Sequence, residues 1–169
     1  AIGDHFSGQI IDDALPTESA VKSGMSGNGL VHLAVHGRFA ADEPLLSHLS
    51  LREGGGEDGR LTAAEMYGLP LDAARLVVLS ACETGTVRAT HANEVLGMMR
   101  GLLFAGADAL VLSAWKIDDA ATSEWMKAFY AAALSSTPAS AARTAIRALR
   151  SNRSYHHPYY WSPFILISR

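Results

Sequence analysis

A layered α/β fold with a mainly parallel central sheet is what this sequence predicts. Three short runs, Leu30 to Val35, Arg75 to Ala81 and Ala109 to Trp115, are apolar on consecutive positions, as in strands covered on both faces. Segments with helical periodicity separate them, which gives repeated strand–helix–strand units. The chain has 169 residues, 49% of them hydrophobic and 18% charged, which supports one domain with a substantial core and excludes disorder over most of its length. The whole of 1–169 reads as that domain, with 1–28 a partial N-terminal segment of it.

Taken in order, Thr17 to Met25 is a short helix with Thr17 as its N-cap candidate. Leu30 to Val35 is the first buried strand, ended by His36-Gly37. Residues 38–60 read as loop, with a short strand at His48 to Leu51. The stretch Glu53 to Gly59, rich in glycine, looks the most flexible part. Thr62 and Glu65 form a capping box that starts a helix reaching Tyr67. Arg75 to Ala81 is the second buried strand, followed by a helix over Asn93 to Phe104. Ala109 to Trp115 is the third strand. Helices follow at Asp118 to Leu134, with Ala121, Trp125 and Phe129 on one face, and at Pro138 to Arg150, with Ala142, Ala145, Ile146 and Leu149 on one face. Phe164 to Ile167 is a last short strand.

The net charge is −3, so no basic excess points to nucleic acid as the main partner. No uncharged apolar run approaches the roughly 20 residues of a membrane helix. The one cysteine, Cys82, cannot form an internal disulfide, which suits a reducing, cytoplasmic setting. No glycine-rich phosphate loop follows any strand, which argues against nucleotide binding.

In open parallel sheets the reactive crevice lies beyond the C-terminal strand ends. Two of those ends carry chemistry. The first strand is followed by His36-Gly37 and the second by Cys82-Glu83-Thr84-Gly85. A thiol attacks well only as thiolate, and a nearby imidazole can take its proton. The alternative for Cys82 is a buried core thiol. His32 and His36 on one strand would stand about 13 Å apart and could not share an ion, so His32 reads as a packed or hydrogen-bonded histidine. The remaining histidines have no convincing partners, and His156-His157 sits in an aromatic turn read as structural.

The runs VHLAVHG (31–37), LVVLSACETG (76–85), LVLSAWKIDDAAT (110–122) and HPYYWSPFILI (157–167) stand in an order and spacing that resembles CHAT domains. These are caspase-like modules often found beside tetratricopeptide repeats and grouped with caspases, separases and gingipains. The resemblance implies a caspase-like three-layer α-β-α sandwich and a cysteine endopeptidase without metal or organic cofactor. His36 matches the general base and Cys82 the nucleophile, with the Gly37 and Cys82 backbone N–H groups as the oxyanion hole. Asp119, Asp118, Trp115 and Glu83 are candidates for the pocket of a basic P1 residue, although Asp118 is equally an N-cap and Glu83 equally a solvated loop charge. The implied partners are a protein or peptide substrate and a fused or associated regulatory domain of repeat or sensor type, with neither nucleic acid nor membrane bound directly. A catalytically silent scaffold is the alternative.

Two departures from the family pattern stand out. RATHANEVLG (88–97) replaces a glycine-rich segment. Only about thirty residues precede the histidine strand, so the sheet is expected to lack part of its N-terminal region and the chain to be the C-terminal part of a larger protein.

Overall fold

The computed structural model describes residues 15–38, 40, 42–80, 91–115 and 118–169, with the backbone alone for 91–96. A four-stranded sheet occupies the middle. Its strands are β1 (Leu30–Leu33), β5 (Leu76–Leu79), β6 (Ala109–Ser113) and β7 (Phe164–Ser168), side by side in that order. β1, β5 and β6 are parallel, and β7 closes the far side antiparallel to β6. The connections between the parallel strands carry the helices α3 (His91–Phe104) and α2 (Ala63–Met66). Two further helices, α4 (Asp119–Ala133) and α5 (Pro138–Ser151), lie between β6 and β7.

The unbroken apolar runs are explained by burial on both faces. Along β5, Val77 and Leu79 face a layer containing α1 (Glu18–Met25), α2 and α3, while Leu76 and Val78 face α4 and α5. β6 alternates in the same way, with Leu110 and Leu112 on one side and Ala109 and Val111 on the other. The α4–α5 layer is anchored by Trp125, which is fully buried and stacks on Phe164 at 4.0 Å and on Phe129 at 4.9 Å between ring centroids. Burying an aromatic or leucine side chain of this kind contributes about 1.5–3 kcal/mol. The result is a caspase-like sandwich with a mainly parallel sheet between two helical layers.

A second sheet is the main feature absent from the sequence reading. β2 (His36–Arg38), β3 (His48–Ser50) and β4 (Arg60–Thr62) form an antiparallel three-stranded sheet. β3 matches the short strand read at His48 to Leu51, while β2 and β4, three residues each, are too short for a legible alternation. The first strand also ends sooner than its apolar run suggests: β1 stops at Leu33, and His36 opens β2.

The glycine-rich stretch 53–59 is a built turn rather than a loose one. Gly54 N–H donates to Glu57 O at 3.1 Å. Gly55 and Gly59 have positive φ of 67° and 81°. A Cβ on Gly55 would stand 2.6 Å from Ser19 Oγ, and one on Gly59 would stand 2.7 Å from Leu51 O. Glycine is therefore required at both for conformation and for close approach.

This turn is pinned to α1 by charge. Thr17 caps α1 by accepting from Ala20 N–H. The next residue, the fully buried Glu18, accepts from Gly59 N–H at 2.9 Å and faces Lys22 Nζ at 2.7 Å. Lys22 also reaches Glu57 and Glu65, each at 3.0 Å. Burial pulls the Lys22 pKa down, but its hydrogen bonds to three carboxylates outweigh this and hold it above the ordinary lysine range. Burial pushes Glu65 up, yet hydrogen bonds from Thr62 and Lys22 bring it down to about 2. One ammonium thus ties α1, the glycine turn and the capping box of α2 together. Lys22→Met leaves Glu18 buried without its counter-ion, so a loss of about 3 kcal/mol is expected in urea denaturation at neutral pH. A loss below about 0.5 kcal/mol, the size of an exposed pair, would remove Lys22 from that role.

Candidate active site at the strand ends

Three leucines form a row across the sheet. Leu33 pairs with Leu79, and Leu79 pairs with Leu112. The ladder runs one residue further, because Ser80 N–H donates to Leu33 O at 2.8 Å. β1 and β5 end at that row, while β6 continues to Ser113, opposite Phe164 of β7. His36 follows Leu33 by three residues and stands opposite Ser50 on β3. The alternation of β2 exposes His36 and Arg38 and buries Gly37. The backbone of His36 is thus held by the second sheet, while its ring lies open to solvent. Cys82 and Glu83 lie outside the described residues.

The third strand end is well defined. Trp115 follows Leu112 by three residues, and its indole N–H donates to Tyr159 O at 3.3 Å. The two rings lie 6.5 Å apart and are 39% and 47% exposed. Sequence reasoning did not pair them. Tyr159 arrives because β7 runs antiparallel from Phe164, which stands opposite Ser113. That places the 3-10 turn Pro158–Tyr160 against the end of β6. The density of aromatics from Tyr155 to Trp161 was the available signal, and its position needed the topology.

The two aspartates separate by job. Asp118 caps α4, its Oδ1 accepting from Ala121 N–H at 3.0 Å. Asp119 is the first helical residue and is exposed, and its carboxylate has no ion pair among the described residues. Of the pair, Asp119 is the one whose charge is uncommitted.

His32 is a packing residue. Its Nδ1 lies 2.6 Å from the Tyr130 hydroxyl, which reaches it from α4. Burial lowers its pKa to about 4, and burial likewise raises that of Tyr130. His32 and His36 belong to different sheets. Among the described residues, the carboxylates of Glu18, Glu57 and Glu65 lie within 4.8 Å of one another, but the cation they surround is Lys22.

Comparison with known proteins adds the following. The family model described as CHAT domain matches residues 4–169. Tetratricopeptide repeat protein 28 of Homo sapiens is 35% identical over 108 residues, and its Mus musculus counterpart is 34% identical over 108 residues. Each match covers 63% of this chain and 4% of the relative.

The His32 environment gives a pH test. Its folded pKa of about 4 lies below the ordinary 6.5, so the unfolded chain binds the extra proton between those values. Its contribution to stability is complete above pH 6.5 and is lost as the pH falls to 4. Denaturation midpoints measured across this window are expected to fall less steeply for His32→Phe than for the wild type. Equal slopes would contradict the assignment.

Proposed function

We propose a function from the premise that this chain belongs to the CHAT domain family, as the family match over residues 4–169 shows: a cysteine endopeptidase that hydrolyses peptide bonds through an acyl-enzyme. His36 takes the proton of the Cys82 thiol. The thiolate attacks the scissile carbonyl carbon, and a C–S bond forms as the carbonyl π-bond opens to an oxyanion. The backbone N–H groups of Gly37 and Cys82 are assigned to that oxyanion, each such donor being worth about 3 kcal/mol in the transition state. The C–N bond then breaks as His36 protonates the leaving amine. Water, deprotonated by His36, attacks the thioester, and the acid product leaves with the thiol regenerated.

The observation that carries this reading is the leucine row. Leu33, Leu79 and Leu112 stand side by side on adjacent strands. His36, Cys82 and Trp115 each follow their leucine by three residues. Three residues of chain reach at most about 10 Å, and neighbouring strands are about 4.8 Å apart. Equal offsets from one row suit a base and a nucleophile that must meet. Trp115, Asp119 and Glu83 are assigned to the P1 pocket, with Asp119 as the acid that pairs with an Arg or Lys side chain. Asp118 belongs to the same region, but its carboxylate is engaged as the helix cap.

The partners proposed are a protein substrate and a regulatory repeat domain. The second follows from the relatives, whose name carries tetratricopeptide repeats and of which this chain spans 4%. The setting assigned is the cytoplasm, on the single thiol; no helix among the described residues is long and apolar enough to cross a membrane. A second reading, a protein-interaction module without catalysis, is favoured by the same relatives, whose name states repeats and no reaction.

A fluorogenic peptide library scanned at P1 separates these readings. Cleavage is expected after Arg or Lys, abolished in Cys82→Ala and reduced at least 100-fold in His36→Ala, since a general base contributes about 10²–10⁴-fold. Asp119→Asn is expected to raise KM for basic P1 peptides while leaving stability unchanged. Cysteine-dependent cleavage after other residues would keep the peptidase and remove Asp119 from the pocket. Binding of a partner that survives Cys82→Ala, with no cleavage by either protein, would favour the scaffold.

A further inference from the structure

Charge is divided unevenly along this chain. All 17 acidic residues lie at or before Glu124. After it come Lys127, Arg143, Arg147, Arg150, Arg153 and Arg169, with no Asp or Glu among them. Four of the arginines belong to α5 and the turn just beyond it. α5 buries Ala141, Ala142, Ala145 and Leu149 against the core. At 100° per residue, Arg143, Arg147 and Arg150 fall within a stripe about 60° wide on the opposite face. Arg153 follows two residues past the helix end, and all four are exposed. From Arg143 to Arg150 the stripe runs about 10 Å at helical rise.

No carboxylate among the described residues forms an ion pair with Arg143, Arg147, Arg150 or Arg153. Arg150 lies over the Trp161 ring at 5.2 Å, which holds one guanidinium in place. Like charges one helical turn apart repel by a few tenths of a kcal/mol each, so the stripe is held at a cost in stability. Its direction also matters. The chain leaves α5 at Ser151 and passes through Tyr155 to Tyr159, whose carbonyl binds Trp115 at the end of β6. The stripe therefore points toward the strand ends.

We propose that this stripe is a docking surface for an acidic, extended segment of a polypeptide, and that it lies beside the site so that such a segment is presented to the strand ends. The presentation half rests on the peptidase reading; the binding half does not. Four positions are arginine and none is lysine, and the guanidinium fork pairs bidentately with carboxylates. The helical stripe matches about three extended residues at about 3.3 Å each. A nucleic acid is disfavoured, because the stripe is short and the first 124 residues carry a net −9, which repels a long polyanion.

Binding of a fluorescein-labelled oligo-glutamate peptide to the full chain, followed by anisotropy at several salt concentrations, tests the proposal. The triple variant R143Q/R147Q/R153Q keeps the Arg150–Trp161 contact and is expected to weaken binding about tenfold or more. Lys127→Gln, off the stripe and paired with Glu124, is expected to bind as the wild type does. Unchanged binding by the triple variant overturns the proposal, and so does tighter binding of single-stranded oligo-dT of equal charge. For presentation, an acidic tract added to a cleaved peptide is expected to lower KM for the wild type and not for the triple variant. An equal KM in both sinks that half, whereas absence of cleavage with every peptide is a failure of the peptidase reading and leaves the binding result standing.

Discussion

The parallel pairing of β1, β5 and β6 is the constraint on which the rest of this structure depends. It fixes Leu33, Leu79 and Leu112 in one row near the C-terminal ends of the three strands. Register in such a ladder is strongly specified, because a slip of one residue would move every side chain to the other face. Here both faces are apolar but not equivalent. One receives α1, α2 and α3, and the other receives the Trp125–Phe129–Phe164 stack under α4 and α5. A slipped strand would set Val78 where Val77 packs and misfit two layers at once. The cost of that misfit gives the strand ends fixed relative positions before any catalytic residue is considered.

The second sheet and the Lys22 cluster extend that order to His36. The histidine is not on the central sheet; its strand pairs with β3, and β3 pairs with β4. β4 runs into the capped α2, whose Glu65 meets Lys22 from α1. Gly59, which precedes β4, is bonded to the buried Glu18. The backbone of His36 is therefore positioned by a chain of contacts in which one ammonium and three carboxylates have a central place.

Much of this was legible in the sequence, for stated reasons. The three buried strands were readable because consecutive apolar residues signal two covered faces, and Thr62 with Glu65 announced α2 through a capping box that is present. The helices α4 and α5 followed from apolar spacing. His32 was readable as a packed residue, and Tyr130 supplies its partner. Of the antiparallel sheet only β3 was legible, as the short strand read at His48 to Leu51; β2 and β4, three residues each, carry too little pattern, and the pairing of the three was not legible either. Nor was the exit of the chain at Leu33, since Ala34 and Val35 continue an apolar run while leaving the ladder. The glycine turn misled because composition alone cannot distinguish residues chosen for mobility from residues chosen for positive φ. Trp115 was found and Tyr159 was not, since their contact depends on the return of β7, a long-range feature. Cys82 and Glu83 stand as sequence assignments.

The proposed peptidase chemistry requires that His36 and Cys82 act on each other. Cys82 is the chain's only cysteine, so the rate of its alkylation by iodoacetamide reports one thiol without ambiguity. A thiol paired with an imidazole reacts as thiolate well below the ordinary pKa of about 8.5. An alkylation–pH profile with its inflection well under that value is expected, moved back toward it in His36→Ala. A profile with its inflection near 8.5 that His36→Ala leaves in place would contradict it.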